Sequence, residues 1–332
     1  MKAFQNTNAR DARNAATLLK QAKADGKKAS LAGGGSDVLA LVKDHIVQPD
    51  VIVHLRSIKG QDRIESSSGG LAIGGLTTIA TLAEDQAVRS QYAVLAEAAN
   101  TVATPQIRNV GTLAGNVAQR PWCWYYRNGF NCYKAGGNQC FSFAGENQFH
   151  AIFGGGPSYI VHPSDTAPAL VALGATFTIA GPNGERKVPA GEFFTLPRQN
   201  AAKENALADD EVITGVQIPA AKAGTRSTYQ KVMDREAWTH AVVSAAVVLE
   251  MDPSAKDVVR SARVVLGGVA PIPWRLTEVE KMLAGQKITD ALLDKVGEAA
   301  VAGARPLSQN AYKVPLTKNL VKRTIRDLAA RA

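Results

Sequence analysis

Along residues 11–24 the apolar positions Ala15, Leu18, Leu19 and Ala22 recur at i, i+3, i+4 and i+7, the spacing of an amphipathic helix, and Gly26 ends it. A short strand around Ser30–Ala32 then runs into AGGGSDVLALVK. Here Gly33, Gly34 and Gly35 form a tight loop opening a helix, with Ser36 or Asp37 as its N-cap. Val51–Leu55 reads as a buried strand and Leu71–Gly74 as a short second one, followed by helical stretches near Thr78–Glu84 and Tyr92–Ala99. Thr104–Gln119 has no clean period. Pro105, Gly111 and Gly115 are expected to break any helix there, while Thr104, Arg108, Asn109, Thr112 and Asn116 supply donors and acceptors.

Further on, YIVHPSD (Tyr159–Asp165) reads as a strand ending in a turn, with Thr166–Leu173 as the next helix. Ala175–Gly181, a turn at Pro182–Glu185 and the following RKVPA make a hairpin. Glu211–Pro219 is another strand, and Ala220–Ser227 a basic, small-residue linker. Beyond it the pattern changes. STYQKVM, Ala241–Met251 and Val258–Val269 predict a three-stranded antiparallel sheet, with helices at about Leu276–Leu283, Thr289–Ala302 and Thr317–Ala330. Strands followed by helices mark a separate α+β domain.

A chain of 332 residues exceeds the size at which one core keeps growing, so two or three domains are expected. No apolar run reaches the roughly 20 residues that span a bilayer, and the N-terminus lacks the apolar region of a secretory signal. The net charge is +9. Much of the excess lies in the last 32 residues, where Arg305, Lys313, Lys318, Lys322, Arg323, Arg326 and Arg331 stand against Asp327 alone. Tyr312 is the one aromatic among them, so a nucleic-acid surface is not expected; a solvated helix face or a subunit contact is.

Two stretches carry candidate chemistry. Glycines let backbone N–H groups approach an anion at a helix start, so Gly33–Asp37 is a candidate phosphate cradle. It fits neither the G-x-G-x-x-G nor the P-loop pattern, and a plain strand–turn–helix connection would also explain it. The other stretch is an insert over residues 120–158 that holds all three cysteines, Cys123, Cys132 and Cys140. Three clustered thiols are not a disulfide framework; they look like metal or cluster ligands.

AGGGSDVLALVK, TPQIRNVGTLAGNVAQ, HPSD and YQKVMDR, in this order and spacing, resemble the FAD-binding subunit of the xanthine dehydrogenase and aldehyde oxidoreductase family of molybdenum hydroxylases. The resemblance covers nearly the whole chain. The insert resembles the segment that carries a four-iron four-sulfur cluster in flavin subunits of the periplasmic aldehyde oxidoreductase and 4-hydroxybenzoyl-CoA reductase type. The fold this implies is α+β: a two-subdomain FAD-binding domain of the vanillyl-alcohol-oxidase/PCMH type over 1–222 (subdomains about 1–58 and 59–222), then a C-terminal domain over 226–332.

The resemblance implies that Ala32, Gly33, Gly34, Gly35, Ser36 and Asp37, with Val38 and Leu39, hold the FAD pyrophosphate. It implies that Thr104, Gly111, Thr112, Gly115 and Asn116 line the cofactor, that Asp165 makes a polar contact on the flavin side, and that Ile213 packs on the isoalloxazine. Lys231 is implied beside the flavin, where a cation favours the anionic reduced form. On their own, Asp165 reads equally as a helix cap and Lys231 as a surface lysine.

For the cluster the implied ligands are Cys123, Cys132 and Cys140, and Ser158 stands where the relatives place a fourth cysteine. Ser158, His150, His162 or solvent are the candidate fourth ligands; a three-iron form, an empty site, or zinc on the three cysteines and His150 are the alternatives.

The implied function is an electron-transfer flavoprotein subunit. A large molybdopterin-binding subunit would oxidise an aldehyde or related substrate. A small subunit with two-iron two-sulfur clusters would relay electrons to FAD, and an external acceptor would take them on. The site would be cytoplasmic, or periplasmic by co-export with a signal-bearing partner. A self-contained flavin oxidase and a zinc-stapled binding module are the competing classes.

Overall fold

Parallel strands need a crossover, and the amphipathic helix supplies the first one. Strands Gln5–Asn8, Val51–His54 and Ala29–Ala32 form a parallel sheet in that spatial order, with helix Ala12–Ala24 between the first and the Ala29–Ala32 strand. Asp11 caps this helix by accepting from Asn14 N at 2.7 Å, and the helix buries Ala15, Ala16, Leu19 and Ala22. The computed structural model describes residues 1–255 and 257–331, so the expected domain end at Ala332 lies outside the described residues.

A five-stranded antiparallel sheet follows, ordered Ile64–Ser67, Gly70–Gly74, Val212–Pro219, Thr176–Gly181, Gly184–Pro189. Its core, Leu71, Ile73, Phe177, Ile179, Val216 and Ile218, packs with residues of helices Ile79–Glu84, Ala93–Asn100 and Thr166–Ala172.

The C-terminal sheet is the antiparallel set Thr225–Val232, Val243–Met251 and Val258–Gly267. Two-residue strands Trp274–Arg275 and Gln286–Lys287 add to its last member, extending the expected three strands to five. Its middle strand is buried on both faces. Val243, Ala245, Val247 and Leu249 pack with the helices Thr277–Leu283, Asp290–Val301 and Lys313–Ala329, while Ala246 and Val248 join the core of the preceding sheet. Burial on two faces explains why this strand reads as an unbroken apolar run.

Several expectations need correction. Thr104–Gln119 contains two short helices, Pro105–Val110 and Leu113–Val117, because Pro105 occupies the first helical position, where its missing N–H costs nothing, and Thr104 and Thr112 cap the two starts. YIVHPSD forms no strand: Pro163 removes a donor, and His162 N bonds Ala270 O singly at 2.9 Å. The last helix begins at Lys313, with Pro315 tolerated in its first turn.

That helix also accounts for part of the basic tail. Lys318, Lys322 and Arg326 pair with Glu298, Asp294 and Asp290 on the antiparallel helix Asp290–Val301, each series spaced by four. These three cations are therefore matched within the chain.

Lys313 is wholly buried and donates from Nζ to Phe149 O at 2.9 Å and Gly268 O at 2.7 Å. Burial pulls its pKa down from the ordinary 10.5 to about 7. Between those values the unfolded chain holds a proton that the folded chain has released, so this residue makes stability rise with pH across that window and contributes no slope below it. Urea unfolding of Lys313→Met is expected to show a flatter pH dependence than wild type between about pH 7 and 10. Identical slopes would mean that the ammonium is not destabilised by its surroundings.

Candidate functional site

Two glycine segments press against each other, and this contact shapes the floor of the main cleft, about 720 Å³ in volume. A Cβ on Gly34 would fall 1.7 Å from the Val110 carbonyl oxygen, and one on Gly33 would meet Thr112 Oγ1 at 2.8 Å. Gly35 has φ +80°, a conformation that side chains oppose. Thr112 Oγ1 accepts from Gly115 N at 3.2 Å, holding the second segment in place. Among the described residues, the N–H groups of Gly33 to Asp37 make no hydrogen bond to the protein. Unpartnered amides at a helix start favour an anion, so the floor fits a bound phosphate group.

Ala32, Gly33, Gly34, Gly35, Ser36, Asp37, Val38, Gly111, Thr112, Gly115, Asn116, Asp165 and Ile213 all line this cleft. Three expected residues do not. Leu39 is exposed beside Gly35, Thr104 caps helix Pro105–Val110 through Ile107 N, and Lys231 stands behind Asp165. Neither Ser36 nor Asp37 caps the helix Val38–Lys43 through a side chain. The Asp37 carboxylate turns to the insert instead, where Arg127 Nη2 lies 2.7 Å away and Arg120 N donates at 3.0 Å.

The cleft wall is set by bonds that no short motif contains. Asn116 Oδ1 accepts from Ser164 Oγ at 2.6 Å and Thr166 Oγ1 at 2.7 Å, which fixes the amide. Asp165 caps nothing and Lys231 is not a surface lysine. Lys231 Nζ donates to Asp165 Oδ2 at 2.8 Å, Thr101 O at 3.0 Å and Thr239 O at 3.1 Å, and Tyr229 OH donates to Asp165 Oδ1 at 2.7 Å. The cation is matched by Asp165 before it reaches the cleft. Burial, reinforced by Asp165, pushes the Tyr229 phenol well above its ordinary range, so it remains a donor. His162, Ser164, Trp122, Trp124, Phe149 and Trp238 also line the cleft. His162 and Ser164 belong to the HPSD motif, whereas no period or motif singled out Trp122, Trp124, Phe149 or Trp238. His162 is fully enclosed, and burial pulls its pKa to about 3, leaving it neutral.

In the insert, Cys123 Sγ lies 3.3 Å from His150 Nε2. Burial pushes the thiol up to about 11 and the imidazole down to about 4, so the two form a neutral contact rather than an ion pair. Cys132 is buried with Leu41 and Tyr126, Cys140 Sγ lies 3.1 Å from Ser142 Oγ, and Ser158 is buried. Tyr125, Phe130 and Phe141 stack around this region with ring centroids 5.0–6.1 Å apart. Among the described residues, no three His, Cys, Asp or Glu side chains stand together so as to hold a metal ion, which bears on a cluster and on zinc alike. Glu204 anchors the insert from outside, 3.0 Å from the buried Lys134 Nζ and 3.3 Å from Arg120 Nε.

The FAD binding domain in molybdopterin dehydrogenase matches residues 2–221, and the CO dehydrogenase flavoprotein C-terminal domain matches residues 228–328. The aldehyde oxidoreductase FAD-binding subunit of Escherichia coli is 33% identical over 311 residues, covering 92% of each chain. The carbon monoxide dehydrogenase medium chain of Hydrogenophaga pseudoflava is 28% identical, covering 92% of this chain and 91% of that one. A solved structure of carbon monoxide dehydrogenase from the same organism superposes with a TM-score of 0.78 at 25% identity, over 100% of this chain and 99% of that one.

Substitutions at three positions test this geometry. Gly34→Ala forces the glycine segments apart, and the purified variant is expected to carry little or no flavin by absorbance; full flavin content would show that their contact is not needed. Lys231→Met leaves Asp165 buried and unpaired, at a cost of roughly 3–5 kcal/mol. Lys231→Met/Asp165→Asn is expected to recover much of that loss in urea titration, and a double variant no more stable than the single would contradict the pairing.

Proposed function

Because the chain belongs to the molybdenum hydroxylase family as a FAD-binding medium subunit, we propose that it relays electrons within a three-subunit complex. A large molybdopterin-binding subunit oxidises an aldehyde or related substrate, and a small subunit carrying two-iron two-sulfur clusters delivers the electrons one at a time. An external acceptor removes them. Bound FAD supplies the conversion between single-electron input and paired output. The observation that carries the reading is the glycine floor with its unpartnered amides.

Each residue has a part in that relay. The Gly33–Ser36 amides take the diphosphate, with Ala32 and Val38 flanking them. Gly111 and Gly115 leave the cofactor room, and Thr112 and Asn116 offer polar contacts from the second segment. Asp165 and Ile213 stand on the flavin side. Lys231 acts through Asp165, which it pairs with and orients. Of the titratable groups beside the flavin position, Asp165 is ion-paired and His162, its pKa lowered by burial, is a weak base.

The insert is proposed to carry a four-iron four-sulfur cluster on Cys123, Cys132 and Cys140, with Ser158, a histidine or solvent completing it. All three cysteines fall in one insert whose aromatic side chains enclose it, and this supports the reading. The chemistry of the fourth position does not favour Ser158, since an alkoxide oxygen is a hard ligand for iron.

Iron, acid-labile sulfide and flavin measured on anaerobically purified chain test both parts. About four irons and four sulfides per FAD are expected. Flavin without iron would remove the cluster and leave the relay; no flavin would remove both. The chain alone is expected to turn over no aldehyde, whereas its flavin bleaches on substrate addition once the large and small subunits are present.

A further inference from the structure

An acid in a phosphate cradle needs explanation, because a carboxylate repels the group the loop is built to receive. Asp37 is such an acid, at the end of the glycine loop. Its Oδ1 lies 2.7 Å from Arg127 Nη2, and Arg127 is its only ion-pair partner among the described residues. Arg127 belongs to the cysteine insert and is held through Nε and Nη2, while its Nη1 is buried without a partner among the described residues. Its Nε donates to Pro121 O at 2.9 Å, its Nη2 to Arg120 O at 3.1 Å, and its guanidinium lies 4.1 Å over the Trp122 ring that lines the cleft. The Arg127 side chain is 7% exposed and that of Asp37 22%, so solvent screens the pair only in part.

We propose that Arg127 is a positioning residue of the flavin site: it masks the Asp37 charge, so that the glycine loop meets a diphosphate with its amides alone. This rests on Gly33–Asp37 being the diphosphate cradle. The insert thereby completes the electrostatics of the cofactor site, whatever its cysteines hold. By linkage, occupancy of the cradle and order in the insert favour each other.

The proposal has a sign, and the sign makes it testable. FAD is titrated into flavin-free full-length chain by fluorescence quenching at low and high salt. Arg127→Met uncovers a negative charge beside the diphosphate and is expected to weaken FAD roughly tenfold or more, with a smaller deficit at high salt. Arg127→Met/Asp37→Asn is expected to regain most of the affinity, because the exposed charge is gone. Asp37→Asn alone leaves Arg127 free and is expected to bind FAD at least as tightly as wild type.

A double variant as weak as Arg127→Met overturns the proposal, since Arg127 would then act through shape. Weaker binding by Asp37→Asn overturns it independently, even if Arg127→Met fails to fold. Wild-type chain that does not bind FAD would instead sink the assignment of the loop.

Discussion

The cleft depends on one close approach: the backbone of Gly34 lies so near the Val110 carbonyl that a Cβ placed there would sit 1.7 Å from the oxygen. Two segments separated by some seventy residues of sequence meet there without side chains between them. Bringing backbone onto backbone leaves the amides of the first loop pointing away from protein acceptors, which is costly unless an anion or water meets them. The same approach brings Thr112 and Asn116, from the second segment, to the cleft beside the loop. An affinity for diphosphate follows from this packing without any cation in the loop itself.

Around that floor, buried ion pairs mark the junctions between units. Asp165 and Lys231 join the strand Thr225–Val232 of the C-terminal sheet to the start of helix Thr166–Ala172, and Tyr229 adds a second bond to the same carboxylate. Lys134, Arg120 and Glu204 fasten the insert to the segment that precedes strand Val212–Pro219. Asp37 and Arg127 fasten it to the glycine loop. A buried pair adds little net stability over an apolar one, but losing one partner is expensive, so such pairs specify how parts dock. The surface ladder between the last two long helices is of another kind, solvent-exposed on its acidic side and weak rung by rung.

What the sequence disclosed follows from what is local. Helix Ala12–Ala24 was legible because its apolar positions repeat every turn, and the glycine loop because only glycine fits its backbone. Pro105 misled because the same residue that breaks a helix inside it starts one at its first position. YIVHPSD alternates like a strand, yet a strand needs a continuous ladder, and no local pattern announces that its backbone makes only isolated bonds such as His162 N to Ala270 O. The contacts that orient the site, Lys231 to Asp165 and Arg127 to Asp37, span 66 and 90 residues, beyond the reach of any period or cap. The tail's excess of cations was visible, but its pairing required knowing that the helix Asp290–Val301 lies antiparallel to it.

The most direct test compares FAD with riboflavin, and ADP with adenosine, as ligands of the flavin-free chain, since FAD adds a diphosphate and an adenosine to the shared ring system and the second pair differs in phosphate alone. If the unpartnered amides over Gly33–Asp37 form the main anchor, the diphosphate ligand of each pair binds at least a hundredfold more tightly, the factor that about 2.7 kcal/mol sets. Equal affinities would mean that the isoalloxazine pocket alone holds the cofactor, and the glycine floor would lose its place at the centre of this site.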